Sequence, residues 1–64
     1  MQVILPDKST RQLEGGSLLV EEILHRLGIN PITVIVTRNG KLVPETARAG
    51  EGDEVRIIAI AHGG

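Results

Sequence analysis

The sequence predicts an α+β fold in which a mixed sheet of four to five strands has one helix packed on one face. Short runs of β-prone residues alternate with turn residues through most of the chain. Only one segment has the apolar spacing of an amphipathic helix. Because one helix can cover only one face of one sheet, the opposite face is expected to stay open.

The composition of the 64-residue chain restricts its function. The 7 Lys+Arg and 8 Asp+Glu give a net charge of −1, so the basic surface that nucleic-acid binding requires is missing. Aromatic residues are 0% of the chain, which removes the usual stacking platforms for single strands. Without cysteine there is no disulfide and no thiolate ligand, and two histidines do not predict a structural zinc site. We therefore expect no nucleic-acid partner and no bound metal.

The N-terminal residues do not predict a targeting segment. Residues 1–6 lack the basic region and the long apolar region of a signal peptide. No apolar run approaches the roughly 18 residues that cross a bilayer. The absence of cysteine by itself leaves the compartment open. We expect a cytoplasmic protein with no membrane partner.

The N-terminal region predicts a hairpin followed by a helix. Residues 2–5 and 10–13 are β-prone and flank a turn at Pro6-Asp7-Lys8. A helix is predicted from Leu18 to Leu27, with Ser17 as its N-cap and Gly28 as its end. The capping box is incomplete, since the third residue after Ser17 is a valine. The apolar face of the helix consists of Val20, Ile23, Leu24 and Leu27.

The second half of the chain predicts three strands. Residues 33–37 and 41–43 flank Asn39-Gly40, a strong hairpin signal because both turn residues accept positive φ. Residues 45–53 are polar and read as a loop. Residues 54–61 form the longest β-prone run and contain no proline, so this strand can lie in the middle of the sheet.

This order of elements predicts a β-grasp roll. The last strand is apolar on both faces, which favours a central position with the first strand beside it in parallel. We expect a β-grasp domain over residues 1–61 and a flexible Gly-Gly tail over residues 62–64.

Strand alternation predicts an apolar patch on the open face of the sheet. Val55 and Ile57 are expected to face the helix, since Arg56 between them is hard to bury, and Val34 and Val36 are expected to join them. Scattered exposed apolar residues are normal on any protein, but a contiguous patch marks a partner surface. The apolar residues of the predicted patch are Ile35, Ile58 and Ile60, and Arg56 is expected to flank them as a further partner-binding residue.

Several motifs together resemble one known family. They are Asn39-Gly40 with Val43-Pro44, the segment 52–55 that enters the last strand, and the terminal Gly63-Gly64. With them the whole chain resembles the ThiS/MoaD family of ubiquitin-like sulfur carriers, and its length and Asn-Gly-x-x-Val-Pro segment are closer to ThiS. A glycine pair at a chain end is, on its own, equally typical of a frayed terminus.

The resemblance implies a function for the tail. Gly64 would be adenylated with ATP by a ubiquitin-activating-type enzyme (ThiF/MoeB-like) and converted to a thiocarboxylate, while Gly63 would let the tail thread a narrow channel. The sulfur would pass to a thiazole synthase-like acceptor in thiamine biosynthesis. The open face would dock on these partners. His62, which precedes the glycine pair, is expected either to contact the activating enzyme or to be solvated surface. The chain would itself be neither an enzyme nor a cofactor-binding protein.

Other functions remain open at this point. The alternatives are a sulfur carrier for molybdopterin synthesis, a ubiquitin-like modifier joined to lysines through Gly64, and a plain interaction module. His25 is expected to interact with the helix C-terminus, and Asp53 to serve a turn before the last strand.

Overall fold

A computed structural model of the protein describes residues 1–60, which fold as a five-stranded mixed sheet, a two-stranded sheet and one α-helix. Helix α1 spans Val20–Arg26, and a short 3-10 helix spans Pro31–Thr33. The strands in chain order are β1 (Gln2–Ile4), β2 (Thr10–Gln12), β3 (Ser17–Leu19), β4 (Val34–Arg38), β5 (Lys41–Val43), β6 (Arg48–Gly50) and β7 (Glu54–Ala59).

The large sheet has the strand order β2-β1-β7-β4-β5. Strand β7 is central, runs parallel to β1 and is antiparallel to β4, while the β1–β2 and β4–β5 pairs are antiparallel hairpins. Parallel pairing of the first and last strands requires a crossover, which the chain makes through α1. The α+β architecture with a central C-terminal strand is confirmed, and it is that of a β-grasp roll.

The core lies between α1 and one face of the large sheet. Val55 and Ile57 on β7 are 0% and 1% exposed, and Val34 and Val36 on β4 are also buried, as strand alternation predicts. The buried set is completed by residues of β1, β3, β6 and α1: Val3, Leu18, Val20, Ile23, Leu24 and Ala49.

A second, two-stranded sheet formed by β3 and β6 was not expected from the sequence. Leu18 belongs to β3 and not to the helix, and it pairs with Ala49 of β6 in the segment 45–53 that the sequence predicts as a loop. Both side chains are buried, so this small sheet closes one end of the core. Three-residue strands are too short to show an alternating pattern, which is why both were missed.

The helix begins at Val20, two residues later than predicted, and Ser17 is not its N-cap. The amides of Val20 and Glu21 donate to the carbonyls of Ala47 and Glu45, at 2.8 and 3.0 Å. Backbone carbonyls thus accept hydrogen bonds from the first N–H groups of the helix, so a capping hydroxyl is not needed there. The N-cap is Leu19, whose N–H donates to Glu22 Oε1 at 3.3 Å.

The C-terminal end of the helix agrees closely with the prediction. The helix ends at Arg26, one residue before the predicted end, and Gly28 has a left-handed φ of 69°. The Gly28 N–H donates to the carbonyl of His25 at 3.1 Å, which satisfies one of the last helix carbonyls.

Strand β5 agrees with its predicted bounds, and the other predicted strands differ from theirs by one or two residues. The third predicted strand starts at Val34, because Pro31 begins a 3-10 turn in which Asn30 Oδ1 accepts from the Ile32 N–H at 3.0 Å. Strand β7 ends at Ala59; Ala61, its predicted last residue, lies outside the described residues.

Two further properties concern residues 1–60. None of the helices in this range combines the length and apolarity needed to span a bilayer. Within the same range no three His, Asp or Glu side chains are grouped so that they could share a metal ion.

Candidate functional site

The sheet face opposite α1, called the open face below, is the candidate partner-binding surface. Strand register decides which residues reach it, because directly paired residues point to the same side of a sheet. Since Val55 and Ile57 are buried against α1, their neighbours Arg56 and Ile58 point to the open face. One row of paired residues crosses all five strands on this side: Thr10, Ile4, Arg56, Thr37 and Leu42.

The apolar residues predicted for the patch do lie on this face. Ile35 on β4 is paired with Ile58 on β7. Ile35 is half-buried, while Ile58 and Ile60 are 38% and 53% exposed. The structure therefore brings Ile35 and Ile58 together and places Ile60 two residues further along the same strand direction.

Arg56 is the charged residue of the patch. It lies between Ile4 on β1 and Thr37 on β4, and its guanidinium is 3.9 Å from Glu54 Oε1 on the same strand. Both side chains are more than half exposed, and such a surface ion pair contributes little to stability. The guanidinium can therefore exchange Glu54 for a carboxylate of a partner at low cost.

Two apolar residues of the open face were missed by the sequence analysis. Leu42 on β5 is 67% exposed, and Ile4 on β1 is half-buried beside Arg56. The signal for Leu42 was present: a two-residue Asn39-Gly40 turn pairs Arg38 with Lys41, which puts Leu42 opposite Thr37 and on the open face. With them, the apolar part of the open face consists of Ile4, Ile35, Leu42, Ile58 and Ile60.

A shallow depression adjoins this patch where β1 and β7 run side by side. Its volume is ≈ 270 Å³, which is small for an enclosed ligand site. Ile4, Pro6, Arg56 and Ile58 contribute to its lining. Its lining therefore combines apolar side chains with the charged side chain of Arg56.

The last described residue is anchored to the sheet. The N–H of Ile60 donates to the carbonyl of Thr33 at 3.0 Å, just before β4 begins. His62, Gly63 and Gly64, the other predicted site residues, lie outside the described residues. Three residues lie between the anchored Ile60 and Gly64 in the sequence.

Comparison with known proteins identifies the family. The model of the ThiS family matches residues 4–64, which is nearly the whole chain and includes the terminal glycine pair. The chain belongs to the ThiS family. An uncharacterised protein of Archaeoglobus fulgidus is 38% identical over 58 residues, covering 91% of this chain and 85% of that protein.

Solved structures agree with this ThiS-family assignment. The crystal structure of the thiamine biosynthesis protein ThiS from Geobacter metallireducens is similar with a TM-score of 0.70 and 26% identity, and both chains are covered completely. The solution structure of a thiamine biosynthesis protein from the same organism has a TM-score of 0.65 at 26% identity, covering 100% of this chain and 88% of the other.

In this ThiS-family chain, a set of hydrogen bonds joins the β4–β5 turn to the start of β7. Asn39 Nδ2 donates to Asp53 Oδ1 at 2.8 Å, and Asn39 Oδ1 accepts from the Glu54 N–H at 2.9 Å. The backbone N–H of Asn39 donates to the Glu54 carbonyl at 2.8 Å. We call this arrangement of Asn39, Asp53 and Glu54 the turn clamp.

Asp53 also serves the tight turn before β7, as predicted. Its Oδ2 accepts from the Gly50 N–H at 2.8 Å, and its own N–H donates to the Gly50 carbonyl at 3.0 Å. The Gly50 N–H, and after it the Asn39 amide, hold the pKa of the Asp53 carboxyl below its ordinary value of 3.8. Asp53 thus links two turns and fixes the position at which β7 enters the sheet.

Proposed function

We propose that this protein is a sulfur carrier of thiamine biosynthesis, activated at its C-terminal glycine. The observation that carries this proposal is the ThiS-family match over residues 4–64, which includes Gly63-Gly64. The similarity to a Geobacter protein named for thiamine biosynthesis supports the choice of pathway. The chain acts as a co-substrate that partner enzymes consume and regenerate, and it is not itself an enzyme.

The chemistry follows from the poor reactivity of a carboxylate. A Gly64 carboxylate oxygen attacks the α-phosphorus of ATP in the activating enzyme, and pyrophosphate leaves. A sulfide equivalent then attacks the acyl carbon, AMP leaves, and Gly64 carries a thiocarboxylate. This sulfur is a soft nucleophile that is transferred to an acceptor carbon during thiazole formation.

The two glycines are needed because they let the tail reach the reacting groups in the partner enzyme; the lack of a side chain does not make the carboxylate itself more reactive. A residue without Cβ lets its backbone approach a nucleotide closely, and it adopts conformations closed to other residues. Gly63 therefore lets the tail pass through a narrow channel, and Gly64 presents the carboxylate. We propose that His62 contacts the activating enzyme at the mouth of that channel.

The folded body positions the tail through the open face. Ile58 and Ile60 lie on β7 and just beyond its end, so a partner that covers them sits next to the residues that lead to Gly64. Exposed apolar residues gain free energy when a partner removes them from water, and Arg56 adds an electrostatic contact that selects the partner. Both the adenylating enzyme and the sulfur-accepting synthase are proposed to use this face.

The test is formation of the thiocarboxylate in vitro. The purified chain is incubated with ATP, a ThiF-like activating enzyme and a sulfur donor, and its intact mass is measured. We expect replacement of one oxygen by sulfur in the wild-type chain and none in Gly64→Ala or Gly63→Ala. Gly16→Ala is the matched control, because a Cβ at Gly16 meets no atom within 4 Å.

The same measurement separates the other functions. A normal thiocarboxylate yield from Gly64→Ala would contradict the proposal. Covalent adducts at lysines of other proteins, in material isolated from native cells, would indicate a protein modifier. If the thiocarboxylate form of the chain transfers its sulfur to a molybdopterin precursor, and not to a thiazole synthase, the protein serves molybdopterin synthesis. A chain that stays unmodified in the presence of all components would indicate an interaction module.

A further inference from the structure

The chain contains two asparagines whose neighbours give them opposite reactivity. Asn39 precedes Gly40, and Asn30 precedes Pro31. Asparagine loses its amide when the nitrogen of the next residue attacks its side-chain carbonyl, and asparagine is therefore among the thermolabile residues. Glycine leaves that nitrogen open because it has no Cβ, whereas proline has no N–H to lose. Only Asn39 is therefore set up for this reaction.

We propose that Asn39 is a latent deamidation site which the turn clamp keeps unreactive. Both functional atoms of its side chain are engaged, with Nδ2 donating to Asp53 at 2.8 Å and Oδ1 accepting from Glu54 at 2.9 Å. Asn39 and Gly40 have φ of 52° and 84°, and their backbone is held by the Asn39 N–H bond to Glu54. Attack by the Gly40 nitrogen makes Cγ tetrahedral and expels Nδ2, so the reaction must disrupt the hydrogen bonds to both partners.

Burial does not protect Asn39 from this reaction, because Asn39 and Gly40 are both exposed to solvent. Water, the co-reactant, and a base to accept the Gly40 proton are available at the surface. Protection must therefore come from the geometry that the clamp imposes. Local opening of the clamp, without unfolding of the core, is then the event that makes Asn39 reactive.

The reaction is balanced as follows. The Gly40 nitrogen gives up its proton and bonds to Asn39 Cγ, the Cγ–Nδ2 bond breaks, and ammonia leaves with the proton. Water then opens the cyclic imide at one of its two carbonyls, which leaves aspartate or isoaspartate at position 39. In either product the donor that faced Asp53 Oδ1 is gone and a second carboxylate is present, so the clamp cannot re-form as before. The proposal uses no tail residue and is independent of the sulfur-carrier function.

The experiment follows deamidation at Asn39 by peptide mapping and mass spectrometry in mildly alkaline buffer. The wild-type chain in concentrated urea gives the unprotected rate, and Asn30 is the internal control. Asp53→Ala removes one of the two side-chain bonds, so we expect it to react about tenfold faster than the folded wild type. Ile23→Val is the matched control, because it weakens the buried core on α1 and leaves the clamp intact.

A second measurement uses only the wild-type chain and therefore does not depend on the stability of any variant. The wild-type rate is followed through urea concentrations below the unfolding transition. Local opening exposes little surface, so the rate should hardly change there, whereas a reaction through global unfolding should accelerate with urea. The proposal would be overturned if Asp53→Ala reacted no faster than the wild type, or if Ile23→Val were accelerated as much as Asp53→Ala. It would also be overturned by a wild-type rate that rises steeply with urea, or by a folded wild type that reacts at the unfolded rate.

Discussion

Ile35 on β4 lies directly opposite Ile58 on β7, and both side chains point away from α1. Paired apolar side chains on adjacent strands stabilise a sheet, but on a solvent-facing side they also leave apolar surface in water. Ile58 retains 38% of its surface and its neighbour on the same face, Ile60, retains 53%. We therefore expect this pair to lie at the centre of the proposed docking surface, together with Ile60.

The first prediction tests docking at this surface. Ile58→Glu places a carboxylate where a partner would bury an isoleucine, and an unpaired buried charge is costly. We expect binding to the ThiF-like activating enzyme, measured by calorimetry, to weaken about tenfold or more. Ile32→Glu is the control, because Ile32 is 82% exposed and lies in the 3-10 helix before β4. Equal binding by both variants would mean that the partner does not cover the β4–β7 patch.

The second prediction compares two neighbouring isoleucines on β7. Ile57 is 1% exposed and faces α1, so Ile57→Ala leaves a cavity and should lower the free energy of unfolding by about 2–5 kcal/mol. A chain of this length has a total stability of only about 3–10 kcal/mol, so this variant should be partly unfolded at 37 °C. Ile58→Ala should lower the free energy of unfolding by about 1 kcal/mol or less. Urea denaturation checks both values, and similar losses in the two variants would show that the strand faces are assigned incorrectly.

The central part of the fold was predictable because strong local signals determine it. Asn39-Gly40 sets the register of the β4–β5 hairpin, and the long β-prone run from residue 54, which contains no proline, selects β7 as the central strand. Arg56 then determines which side of β7 is buried. From these three features the sequence also predicts the positions of Ile35 and Ile58 on the open face.

The β3–β6 sheet was not predictable because it depends on contacts between distant segments. Leu18 precedes the helical residues at a spacing that also suits the helix, and only its pairing with Ala49 makes it a strand residue. The same pairing brings the carbonyl of Ala47 to the Val20 N–H, which replaces the expected Ser17 cap. Such long-range pairing leaves no pattern in a three-residue strand.

The third prediction concerns the close approach of Gly50, the last residue of β6, to Gly16, the residue before β3. A Cβ at Gly50 would lie 2.9 Å from the carbonyl oxygen of Gly16, so one backbone segment must move. Overpacking of this kind costs about 1–3 kcal/mol of unfolding free energy. Gly16→Ala is the control, since its Cβ meets open space and surface changes of this kind stay within about 0.5 kcal/mol. If Gly50→Ala proves as stable as Gly16→Ala, Gly50 does not approach the Gly16 carbonyl this closely.

The last prediction concerns acid stability. Hydrogen bonds from the Gly50 N–H and then from the Asn39 amide lower the pKa of Asp53 below 3.8, so the ionised carboxylate stabilises the folded state. That stabilisation is present above pH 3.8 and is lost as the pH falls through the lower pKa of the folded state. We therefore expect the wild type to be more stable than Asp53→Ala at neutral pH and the difference to shrink below pH 3.8, as measured by urea denaturation across an acid pH series. Asp7→Ala is an independent second case, because the Ser9 hydroxyl and then the Ser9 N–H lower the pKa of Asp7 at a separate turn. A constant difference between wild type and Asp53→Ala down to the lowest pH would show that the turn clamp does not depend on the charge of Asp53.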